Sequence, residues 1–215
     1  MNPNQFKFIQ EFSQYHDILN SSSFKDYKNR LAALKKKITE QEYKYVSGFS
    51  FEFVIGGLLH FYGGMPEFGV LDYQPTYVGS VDNPDHGADG FGLAFAGADF
   101  QNTRPAIVQI KFRSNQSDQI REFGRLPDVV REHLMLHDTV NLTLITTSLE
   151  RSGKINISDE NVDENTVAFA RFFRLALPQE LRERVFIRVI DIKQLTAFDN
   201  FYFWQRLRKF SGLFE

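Results

Sequence analysis

The chain predicts an α/β fold with a mixed central β-sheet flanked by helices, and three patterns carry that prediction. Apolar residues recur at helical spacing through about residues 5–62. Ala106–Arg113 alternates, placing Gln109, Lys111 and Arg113 on one face and Val108, Ile110 and Phe112 on the other, as a strand does. Two apolar runs, Asn141–Thr147 and Val185–Asp191, each follow a helix-like stretch, so strands and helices alternate in the second half. A 215-residue chain that is 42% hydrophobic has ample material for one core.

The elements follow in order. Phe6, Phe8, Ile9, Phe12, Tyr15 and Ile18 line one helical segment, and Phe24, Tyr27, Leu31 and Leu34 line the next. Asn20-Ser21-Ser22-Ser23 separates them, which predicts an N-terminal helical hairpin. The second segment carries Lys25, Lys28, Arg30, Lys35, Lys36 and Lys37, read as a solvated basic face. Residues 1–40 are therefore set apart as a helical appendage, and residues 41–215 as the main domain.

Residues about 41–62 are apolar on nearly all sides and should form a buried helix. Glu52 lies inside it, where an unpaired carboxylate is costly, so it requires a cation, a lysine or ordered water. Gly63-Gly64 ends the helix. Strands near 69–79, 88–96 and 105–113, joined by Asp82-Asn83-Pro84-Asp85 and a connection over 97–105, make an antiparallel meander. A helix is expected over 118–136, kinked or divided at Pro127. A buried strand over 141–147, a polar exposed loop over 150–165, a helix over 166–177, a strand over 185–191 and a helix over 194–210 complete the chain.

The net charge of -2 means that any basic surface must be local. The absence of cysteine excludes disulfides, thiolate zinc sites and cysteine nucleophiles. No apolar run approaches the roughly 20 residues that span a bilayer, and Met1-Asn2-Pro3-Asn4-Gln5 lacks a signal-peptide pattern. The expectation is a cytoplasmic protein with no membrane partner. The 23 phenylalanines are read as core or interface residues rather than base-stacking platforms.

The chemistry concentrates in Asp85-His86-Gly87-Ala88-Asp89-Gly90-Phe91 and the Gln109-Ile110-Lys111 strand. An acidic residue beside one strand and a Q-x-K in the next can gather a metal ion, a lysine and a scissile phosphate. Magnesium takes hard oxygen ligands and keeps several waters, so Asp89, Gln109 and the Ile110 carbonyl form a plausible protein share. Manganese is expected to substitute. Lys111 would stand beside the phosphate or the attacking water, and Glu52 would hold a metal-bound water or a second ion from the helix. Arg113, Arg121, Arg125 and Lys154, with His86, are the candidate contacts to a DNA backbone. Asp85 is read as a turn residue, and His60, His133 and His137 as packing or surface residues.

This order resembles the Mrr-like branch of the PD-(D/E)xK nuclease superfamily, over roughly residues 45–197. The matching segments are Phe51-Glu52-Phe53-Val54-Ile55-Gly56-Gly57, Gly87-Ala88-Asp89-Gly90, Val108-Gln109-Ile110-Lys111, Leu144-Ile145-Thr146-Thr147 and Val189-Ile190-Asp191-Ile192-Lys193-Gln194-Leu195. The resemblance implies a restriction-endonuclease-like core and metal-dependent DNA hydrolysis, with Glu52, Asp89, Gln109 and Lys111 as the catalytic set. Gln109 stands where the superfamily's general pattern has an acidic residue, in agreement with this branch. The competing expectations are an inactive nuclease fold kept for DNA binding or assembly, and a structure-selective junction resolvase. The N-terminal helices fall outside the resemblance and are the expected surface for a partner protein or a homodimer.

Overall fold

A capping box starts the longest helix. Thr39 Oγ1 accepts from the Glu42 amide, while the Glu42 carboxylate accepts from the Thr39 amide and hydroxyl. This satisfies donors that a first helical turn leaves unpaired. In the computed structural model, which describes residues 16–76, 87–96, 102–112, 123–146 and 164–210, that helix spans Glu40–Phe61 (α3). It follows α1 (His16–Leu19) and α2 (Phe24–Leu34). Gly63 and Gly64, with φ of 68° and 103°, turn the chain out of α3 through backbone angles that side-chain-bearing residues seldom adopt.

The sheet has six strands in sequence order: β1 (Gly64–Met65), β2 (Val70–Pro75), β3 (Gly90–Phe95), β4 (Thr103–Lys111), β5 (Val140–Thr146) and β6 (Val185–Asp191). β1 to β4 pair antiparallel, and β4, β5 and β6 pair parallel. Parallel neighbours need a crossover, and α4 (Leu126–Leu136) and α5 (Glu164–Leu175) lie in those two connections. The α/β class with a mixed sheet is thus what the chain adopts.

Three local expectations change. The turn after α3 contains the two-residue β1 and a 3-10 turn over Pro66–Phe68, where only a helix end was expected. Pro127 does not kink a helix: it sits in the first turn of α4, where its missing N–H costs nothing because that donor has no intrahelical partner, and residues 118–122 of the expected helix lie outside the described residues. The last helix is divided into α6 (Ile192–Leu195), a 3-10 turn over Thr196–Phe198 and α7 (Phe201–Phe210). Side-chain bonding at the break explains this. Asp199 accepts from the Phe24 amide and the Trp204 indole, and Asn200 Oδ1 caps α7 by accepting from the Phe203 amide at 2.8 Å. Of the N-terminal hairpin, α1 and α2 fall within the described residues; its portion before residue 16 and most of the 150–165 loop lie outside them.

The alternation of each strand divides the core between the two sheet faces. Val108, Ile110, Ile145 and Ile190 pack with Phe51, Val54, Ile55 and Leu58 of α3. Ile107, Leu142, Leu144 and Val189 pack with Leu126 and Val130 of α4 and Phe169 and Phe173 of α5. Phe24, Tyr27 and Leu31 of α2 belong to the first cluster, as do Phe203 and Trp204 of α7. The apolar side of α2 is therefore used within the chain. The Tyr27 hydroxyl lies 3.0 Å from Ser50 Oγ, and burial pushes its pKa well above the ordinary phenol value, so it stays neutral. Among the described residues, no helix is long and apolar enough to cross a membrane.

Candidate active site at the end of the central strands

The hairpin register sets Asp89 against the end of β4. Gly90 is opposite Val108, and the Asp89 amide extends the ladder by donating to the Val108 carbonyl at 2.8 Å. The Asp89 carboxylate then folds over the strand, where Oδ2 accepts from the Ile110 amide at 2.6 Å. A charged acceptor makes this a strong bond, and a carboxylate has further lone pairs beyond the one it uses. Asp89, Gln109, Ile110 and Lys111 are thereby gathered at one place.

Tyr73 fixes the same spot from β2. Its hydroxyl donates to the Asp89 carbonyl at 3.1 Å, and the Thr76 amide donates to that carbonyl at 3.0 Å. Glycines permit the close approach. A Cβ on Gly90 would fall 2.3 Å from the Tyr73 ring, and one on Gly56 of α3 would lie 3.5 Å from the Tyr73 hydroxyl. Gly90→Ala should displace Tyr73 and destabilise the protein by about 1–3 kcal/mol, the usual cost of overpacking. Urea denaturation checks this, and an unchanged midpoint would show that the ring yields freely.

Glu52 is one helical turn before Gly56 and shares its side of α3, so it approaches from the α3 side of the sheet. It is half-buried rather than enclosed. Gln109 and Lys111 alternate with Val108 and Ile110 and so leave the opposite face, the one covered by α4 and α5. The candidate set converges around a strand end rather than on a single surface.

Gln109 is only 7% exposed, and its Oε1 has no hydrogen-bond partner among the described residues. Its amide nitrogen lies near Gly87, where an added Cβ would stand 3.6 Å from Gln109 Nε2 and 3.3 Å from Leu126 Cβ. Gly87 thus lies close to both the start of α4 and Gln109. Arg125 immediately precedes α4, exposed, with Nε 3.8 Å from Asp128 Oδ2. Arg113, Arg121, Lys154, His86 and Asp85 lie outside the described residues. His133 stacks on Phe91 at 5.1 Å.

One polar residue here received no role from its sequence context. Thr146 is fully buried at the end of β5, opposite Lys111 in the parallel ladder, and its Oγ1 has no partner among the described residues. Its sequence signal is its place in the Leu144-Ile145-Thr146-Thr147 segment, at the end of a strand that also carries Asn141 and Thr143.

The oxygens on offer for an ion are the Asp89 carboxylate and the orphaned Gln109 carboxamide. Among the described residues, no three His, Cys, Asp or Glu side chains cluster to hold a metal. One carboxylate and one amide fit magnesium, which retains waters as most of its ligands. Comparison with protein-family models, curated proteins and solved structures finds no match.

Proposed function

We propose that the chain is a magnesium-dependent DNA endonuclease with a restriction-endonuclease-like core, able to use manganese in place of magnesium. The observation that carries this reading is the Asp89 carboxylate held on the Ile110 amide at 2.6 Å, on the strand that carries the buried Gln109 oxygen and Lys111. The order of one helix, an antiparallel β2–β3–β4 meander, a helix and a parallel β5 supports it.

Asp89 and Gln109, with the Ile110 backbone carbonyl, would hold the ion. Magnesium, when bound, supplies Lewis acidity toward phosphate oxygens. Lys111 offsets the negative charge that develops on the phosphate during in-line displacement, without needing to reorient. Glu52 orders water from the α3 side. Arg125, with Arg113, Arg121, Lys154 and His86, contacts the DNA backbone, so binding should weaken steeply with salt even though the chain is acidic overall.

A cleavage panel tests the reading: plain duplex, methylated duplex, single-stranded and branched DNA, each with magnesium, manganese or chelator. Metal-dependent strand breaks that disappear with chelator are the expected result. Binding without turnover on every substrate would instead identify a DNA-binding or assembly module. Strong preference for branched DNA, together with a dimer in light scattering, would identify a junction resolvase.

A further inference from the structure

We propose that Thr146 is a positioning residue of this site: its hydroxyl and the Gln109 carboxamide oxygen form a polar subsite that holds an ordered water beside Lys111. The inference rests on the nuclease reading above.

Two buried polar atoms carry it. Thr146 is 0% exposed and Gln109 is 7% exposed, and neither Thr146 Oγ1 nor Gln109 Oε1 has a hydrogen-bond partner among the described residues. Buried polar atoms are nearly always partnered, so a pair of orphans in one place calls for a shared ligand. The ladder puts them in one place. Lys111 pairs with Thr146 and Gln109 pairs with Leu144, so all three polar side chains leave the same sheet face. Thr146 is beside Lys111 on the neighbouring strand, and its Cα is roughly 8 Å from that of Gln109 by ordinary sheet spacing.

The chemistry of the groups selects water. A carboxamide oxygen only accepts, an ammonium only donates, and a hydroxyl does either. One water can donate to the Gln109 Oε1 lone pair that a bound ion leaves free, accept from Lys111 and exchange a hydrogen bond with Thr146, within the two to four partners typical of a buried water. Such a water limits the rotamers of a long lysine side chain at the strand end. The two orphaned groups thus serve to orient Lys111 toward substrate.

Thr146→Val tests this by deleting the hydroxyl while keeping the branched shape. Magnesium-dependent kcat should fall roughly 10- to 100-fold, as when a supporting hydrogen bond at a reacting group is lost. KM should be unchanged, the melting temperature should not drop, and the rise in melting temperature on adding manganese should persist. Thr146→Ser should restore kcat. Wild-type kcat in Thr146→Val, with Asp89→Asn inactive, overturns this inference and leaves the nuclease reading standing. A lowered melting temperature with Thr146→Ser equally slow also overturns it, because it assigns Thr146 to packing. Undiminished cleavage by Asp89→Asn overturns the placing of the active site at Asp89, and this inference with it.

Discussion

Asp89→Asn is expected to lower the magnesium-dependent cleavage rate by roughly 10²- to 10³-fold or more, the scale on which one preorganised electrostatic group acts. The substitution keeps the shape and an acceptor oxygen for the Ile110 amide, so the strand end should stay in place. It removes the charge that holds a cation and turns a charge-assisted hydrogen bond into a neutral one, at a cost of about 1 kcal/mol. Single-turnover cleavage of a plasmid, with urea denaturation alongside, measures both effects. Lys111→Ala should lose a comparable amount of rate while retaining manganese-induced stabilisation, because the ammonium acts on the phosphate and not on the ion. Undiminished turnover in both variants would sink the mechanism.

Trp204→Ala is expected to destabilise the fold by about 3–5 kcal/mol and to lower Tm by ~10 °C for a chain of this size. Trp204 is fully buried against Phe24, Tyr27 and Phe203, with ring centroids 5.2, 6.4 and 5.1 Å away. Its indole N–H donates to Asp199, whose other carboxylate oxygen accepts from the Phe24 amide. Removing the indole therefore opens a cavity and withdraws one bond from the residue that links α2 to the start of α7. Hydrogen exchange should show α2 losing protection together with α7. A change under about 1 kcal/mol would mean that these helices lie outside the cooperative core.

The site variants and Trp204→Ala probe features of very different legibility. The strand over Val185–Asp191 and the long helix near 41–62 are plain in the residues, because a sustained apolar pattern has few ways to be buried. The polar side of β4 is equally plain, since alternation assigns Gln109 and Lys111 to one face whatever surrounds them. The break at Asp199-Asn200 is not. Periodicity runs through it, and the helix stops because Asp199 and Asn200 bond elsewhere, one of them to an amide 175 residues away. Tyr73 is similarly silent in sequence, since its role depends on two glycines, Gly56 and Gly90, that allow α3 and β3 to approach its ring.

By itself the sequence determined the α/β class, the order of the main helices and of five of the six strands, and the chemistry available at Asp89, Gln109 and Lys111. Those depend on composition and on periods of 2 and 3.6 residues, which are local properties of the chain. Only the tertiary structure decided that the Asp89 carboxylate rests on the Ile110 amide, that Thr146 stands beside Lys111, and that Glu52 comes from the other side of the sheet. Each of these depends on strand register or on which face a helix covers. Register and face are chosen by the packing of the whole core, since a slip of one residue would send every side chain of a strand to the opposite face of the sheet, against different helices.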